Sequence, residues 1–213
     1  MRTAATLLLL CPALLAAEII DQVAVTVDDR VITASEIGES LRVAAFLDGE
    51  KPDLSAAARR RMADRLIEQI LVLREMGLTR FPEPSAAEIA ETLGQVKGRY
   101  KDDADFQRAL AAEGLTERHI ERTLRRQITL VRFIDMRFRP EVQLQENEVI
   151  EYYRTVFLPE LRSKGVKPDP SFEDVRAQCE EALTAELVDK RVDAWLAAAR
   201  TRARIVYDED AFR

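Results

Sequence analysis

Residues 19–37 read IIDQVAVTVDDRVITASEI. Val23, Val25 and Val27 alternate with Ala24 and Thr26, the period-two pattern of a half-buried strand. Asp28-Asp29 tolerates the left-handed angles of a tight turn, and Arg30-Val31-Ile32 return as a second strand. Thr33 stands three residues before Glu36. At that spacing each side chain can satisfy the other's unpaired backbone N–H at a helix start. The stretch therefore predicts a β-hairpin feeding directly into a capped helix.

Residues 1–17, MRTAATLLLLCPALLAA, precede it with one basic residue, Arg2, an apolar run from Ala4 to Leu15, and small residues Ala16-Ala17. This is the layout of a secretory signal peptide, too short to span a bilayer, with cleavage expected after Ala17. Cys11 is a poor lipid-attachment site between Leu10 and Pro12. The expected mature chain, residues 18–213, has no later run long and apolar enough to cross a membrane. Loss of Arg2 takes the formal net charge from −6 to about −7, which disfavours nucleic acid and acidic membranes as partners. Cys179 remains as the one cysteine of that chain, unable to form an internal disulfide and safest when buried.

Downstream, the pattern is helical. Ser35–Leu47 is a short helix ending before Asp48-Gly49. Ser55–Met76 carries Met62, Leu66, Ile70 and Leu73 at three-and-four spacing, with Gly77 expected as a left-handed cap. Phe81-Pro82-Glu83-Pro84 is a stiff connector, and Ser85 with Glu88 forms a second capping box. A brief helix runs from Asp102/Asp103 to Gly114. A long one starts at Thr116 with Ile120, Leu124, Ile128 and Val131 as its seam, and Pro140 breaks it. Glu146–Leu161 follows, interrupted near Pro159. Residues 164–170, KGVKPDP, form a linker, and Ser171 with Asp174 opens the last helix. Residues 203–207, ARIVY, alternate as a terminal strand. Alone it would leave its backbone groups unpaired, so pairing with the opening hairpin is expected. The fold class is mainly α, with a small β-element built from the N-terminal hairpin and the C-terminal strand.

Several chemistries find little support. His119 has no nucleophile or second histidine near it in sequence, so a surface or packing role is expected. Cys179 sits on an apolar helical seam without a CxxC partner. Asp28-Asp29 and Asp102-Asp103-Asp105 lack the ligand spacing of a calcium loop, and no metal or cofactor is expected. Arg59-Arg60-Arg61 and Arg125-Arg126 are interspersed with acids on solvated helix faces. Residues 85–94 look like the first helix of a helix-turn-helix reader, but the acidic, turn-rich QVKGRYKDDADF that follows is no recognition helix.

The order VAVTVDDRVITASEI, a long helix ending in EMGL, AAEI at 86–89, FQRALAAEGLTERHIERTLRRQI at 106–128 and ENEVIEYY at 146–153 resembles the SurA-type periplasmic chaperones. The closing SFEDVRAQCEEAL and AWLAAARTRARIVY resemble the final helix and strand of that family's N-terminal domain. Gln145 stands where the family usually has a capping Ser or Asp. The resemblance implies a single helical chaperone domain over 18–213: an N-terminal part (18–163), the 164–170 linker, and a C-terminal helix and strand (171–207). Family members typically insert parvulin-type prolyl isomerase domains between the Tyr-Tyr helix and the final helix. Here only 18 residues separate Tyr153 from Phe172, and His119 is the one histidine, so the isomerase module is expected to be missing.

The expected function is that of an ATP-independent holdase, whose helices enclose an apolar groove for extended segments of exported polypeptides. The resemblance suggests outer-membrane proteins as clients and the periplasm as the compartment. Phe46, Phe81 and Phe106, in or beside short helices and connectors, are the candidate client-binding residues. The rivals are a prolyl isomerase, a structural subunit of an envelope complex, and a homodimer with helices inserted into each other's grooves.

Overall fold

The computed structural model describes residues 21–77 and 81–213; the expected signal segment, with Cys11 and the expected cleavage after Ala17, lies outside them. β1 (Val23–Val27) and β2 (Arg30–Thr33) form the hairpin, and β3 (Ile205–Tyr207) pairs on the other side of β1, giving the antiparallel order β2-β1-β3. The two chain ends are thus joined in one sheet. Asp28 takes the left-handed turn position at φ 52°, where a short polar side chain limits the steric cost.

Helices α1 (Ala34–Asp48), α2 (Ala56–Gly77), α3 (Ala86–Lys97), α4 (Asp103–Ala112) and α5 (Glu117–Phe138) follow. Their starts lie where short polar residues supply caps. The Thr33 hydroxyl accepts from the Glu36 N–H at 3.3 Å, and Asp102 accepts from the Asp105 N–H at 2.8 Å. Ser85 and Glu88 exchange both bonds of a capping box, at 2.8 and 3.3 Å. At Gln145, Glu148 accepts from the Gln145 N–H at 2.8 Å.

Past Pro140 come α6 (Glu146–Tyr152), a π-helical turn (Tyr153–Phe157), α7 (Leu158–Ser163) and the 31-residue α8 (Phe172–Arg202). Pro159 lacks an N–H and its ring crowds the preceding turn; the wider π turn places that irregularity just before it. The 164–170 segment is tied back to the preceding helices near its C-terminal end. Arg162 binds Asp169 through its Nε at 3.1 Å, and the Tyr153 hydroxyl donates to the Pro170 carbonyl at 2.7 Å.

The core is a chain of clusters, not a single ball. Val25, Ile32, Ile37 and Ile67 bury completely between the sheet, α1 and α2, each contributing about 1.5–3 kcal/mol. A second cluster gathers the far end of α1 with α3, α4 and the start of α5. A third lies where α2 meets α5, and a fourth where the end of α5 meets α8. The fifth holds Val149, Val175 and the buried Cys179 between α6 and the start of α8.

Two expectations need correction. Val131 is 66% exposed instead of continuing the α5 seam. Ile120 and Leu124 face the second cluster, but Thr129 and Phe133 bury on the opposite side of the same helix. The helix exchanges neighbours midway, so its buried stripe jumps faces. Gly77 is the last residue of α2 and does not take a left-handed conformation.

Candidate functional site

Helix α2 carries the apolar stripe Met62, Leu66, Ile70, Leu73, and the stripe leaves the core along its length. Met62 and Leu66 are buried, Ile70 is half-buried and Leu73 is exposed. Leu66, Ile70 and Leu73, with Val27 and Val31 of the hairpin, line a half-open groove of about 1110 Å³. The hairpin forms one bank and the second half of α2 the other, while Glu36 of α1 and Arg126 of α5 also contribute to its lining.

Charged groups line its rim. The Asp28 carboxylate is paired with Arg74, and the backbone N–H of Arg204, with Arg74 adding to it, holds the Asp28 carboxyl below the ordinary range. Arg126 donates to Gln69 at 3.2 Å. Burial pushes the Glu36 carboxyl above the ordinary range, against the pull of the nearby Arg126 charge. Asp29 and Arg30, at the hairpin tip, have no ion-pair partner among the described residues. Leu66, Ile70 and Leu73 beneath charged groups of both signs give the groove a mixed lining, suited to a ligand that presents both apolar and polar groups.

The three phenylalanines do not converge on this groove. Phe106 is fully buried and Phe46 nearly so, their rings 5.9 Å apart in one cluster with Tyr100. Their rings pack between α1, α3 and α4 and not at the groove, where the candidate client-binding residues were expected to meet. Phe81 is half-buried and packs edge-on against Phe133, with ring centres 5.6 Å apart. The groove residues were legible only as an α2 stripe. Nothing in the sequence showed that the hairpin tip would lie opposite its outer end.

His119 is a structural residue at the start of α5: its Nδ1 accepts from the Thr116 N–H at 3.2 Å, and its Nε2 lies 3.8 Å from Glu39. Among the described residues, no cluster of His, Cys, Asp and Glu could hold a metal ion, and no helix is long and apolar enough to cross a membrane.

No protein-family model matches the chain. Among curated proteins, it is 30% identical over 153 residues to Chaperone SurA of Nitrosospira multiformis, a match covering 68% of this chain and 33% of that protein. The relationship is SurA-like. The chain aligns with about a third of the length of the relative it matches.

Proposed function

We propose that this chain is an ATP-independent chaperone of the periplasm that holds extended, unfolded segments of exported proteins, outer-membrane β-barrel proteins among them. The observation that supports the reading is the half-open groove between the hairpin and the outer half of α2, where Leu66, Ile70 and Leu73 lie among charged and polar side chains. The similarity to Chaperone SurA supports it. Affinity comes from burying client apolar area at roughly 25 cal/mol per Å², opposed by the chain entropy the client loses on ordering. The balance gives weak, reversible binding, so release needs no nucleotide.

Holding, on this reading, is separate from isomerisation. The short 164–170 connection is closed by the Arg162–Asp169 and Tyr153–Pro170 contacts, and His119 is committed to its helix start. A proline-peptide isomerisation assay is expected to show no rate above background. The decisive test of the holdase itself dilutes a denatured β-barrel outer-membrane protein into buffer without ATP, with and without residues 18–213. Suppression of light scattering at severalfold excess supports the reading; scattering that does not change refutes it.

A further inference from the structure

We infer that the open edge of β2 takes the client as a fourth strand, and that the client is an extended segment with apolar side chains at alternate positions. This rests on the holdase reading and adds its mode of recognition.

The hydrogen-bond parity of the sheet leads to it. The Asp28 N–H donates to the Arg204 carbonyl at 2.9 Å, and the Ala24 carbonyl accepts from the Asp208 N–H at 2.9 Å. The backbone groups of residues 24 and 28 therefore point toward β3, and alternation directs those of Val25 and Val27 toward β2. Val25 pairs with Ile32 and Val27 with Arg30, so these are the hydrogen-bonded pairs. Val31 lies between them, and its N–H and C=O point away from β1 at an edge where no other described strand pairs. Its side chain is 49% exposed.

Geometry then selects the guest. An incoming residue opposite Val31 shares Val31's face of the sheet, opposite to the Val27 face, and stays largely exposed as Val31 does. The residues before and after it lie opposite Arg30 and Ile32, on the Val27 face that borders the groove. Two client side chains, two positions apart, would enter over Leu66, Ile70 and Leu73. This is the alternation of a transmembrane β-barrel strand. A helical segment presents no free backbone groups to the edge. Asp29 and Arg30, which have no ion-pair partner among the described residues, offer one charge of each sign to flanking client residues. With so short an edge, only about one pair of backbone bonds forms, which keeps binding weak and indifferent to side-chain identity.

The test is a titration of residues 18–213 with a nine-residue synthetic peptide of alternating apolar and polar residues, followed by fluorescence anisotropy. Three changes are compared: Val31→Pro, Leu73→Glu, and peptides carrying a single N-methyl group at each position in turn. Proline is tolerated at an edge whose N–H faces outward, and the N-methyl series needs no change to the protein. The expected result is a loss of about fivefold or more for Val31→Pro and for one N-methyl peptide, with slowed exchange of the Val31 amide in the complex. Wild-type affinity for Val31→Pro and for every N-methyl peptide, with binding abolished by Leu73→Glu, overturns strand addition and leaves the groove as holdase site. A peptide-free dimer that Val31→Pro dissociates also overturns it, assigning the edge to a second copy. Absence of peptide binding by the unaltered protein overturns this inference, and the aggregation assay decides separately whether the holdase reading falls with it.

Discussion

Asp28 and Arg204, 176 residues apart in the chain, close the fold by exchanging two hydrogen bonds. The Asp28 N–H donates to the Arg204 carbonyl at 2.9 Å, and the Arg204 N–H donates to the Asp28 carboxylate at 2.8 Å. In an uninterrupted ladder the second acceptor would be the Asp28 carbonyl. The left-handed turn rotates that carbonyl away, and the side chain takes its place. Arg74 of α2 pairs with the same carboxylate, so one residue joins the hairpin, the last strand and the groove-forming helix.

Removing that carboxylate should loosen the ends together. Asp28→Ala is expected to lower Tm by several degrees and Asp28→Asn by less, since Asn keeps an acceptor and tolerates the left-handed turn. Because the folded carboxyl is held below its ordinary value, its stabilisation is complete above the unfolded pKa, near ~3.9, and is lost as pH falls through the folded value. Thermal unfolding from pH 7 to pH 3 should show a steeper acid loss for wild type than for Asp28→Asn.

Glu88 supplies a second acid-sensitive tie, between α3 and α5. Its carboxyl is drawn down to about 2, by Arg132 first and by the Ser85 N–H and hydroxyl next. The contribution is therefore present above about 4.5 and fades as pH drops toward 2. Glu88→Gln should be less stable than wild type at pH 7 and converge with it by pH 2, as read by denaturant titration at each pH.

Phe106 belongs to the core, and its truncation reports on that. Phe106→Ala should cost about 3–5 kcal/mol, a large share of the total stability of an ordinary domain. Urea unfolding monitored by circular dichroism measures it. Any chaperone loss in this variant should follow its unfolded fraction, because the ring is fully buried.

Leu73 should behave in the opposite way. It is 41% exposed at the groove, so Leu73→Glu should shift stability by within about 0.5 kcal/mol. A charge beside Leu66 and Ile70 should nevertheless weaken aggregation suppression severalfold, measured by light scattering with refolding β-barrel protein.

Much of the fold was legible because its signals are local. Thr33, Ser85, Asp102 and Ser171 accept hydrogen bonds at helix starts, and the alternation of residues 203–207 required a partner strand that β1 supplies. What stayed hidden is non-local. Val131 shares the period of Ile120 and Leu124, but α5 changes neighbours between them and the stripe jumps faces. Ile70 and Leu73 read as core by spacing, since no local signal says where a helix outruns its partner. Phe46 and Phe106 looked uncommitted because they lie on short helices. Their partners, Leu93, Val96 and Leu124, come from other helices, α3 and α5, whose packing against them no local pattern announces.

Hydrogen–deuterium exchange of residues 18–213, with and without a denatured β-barrel client, reads whether an extended client lies between the hairpin and the outer half of α2. The predicted result is client-dependent protection at residues 27–31 and 66–77, diminished by Leu73→Glu. Protection confined to α6 and α7, with residues 27–31 and 66–77 exchanging as in the free protein, would contradict it.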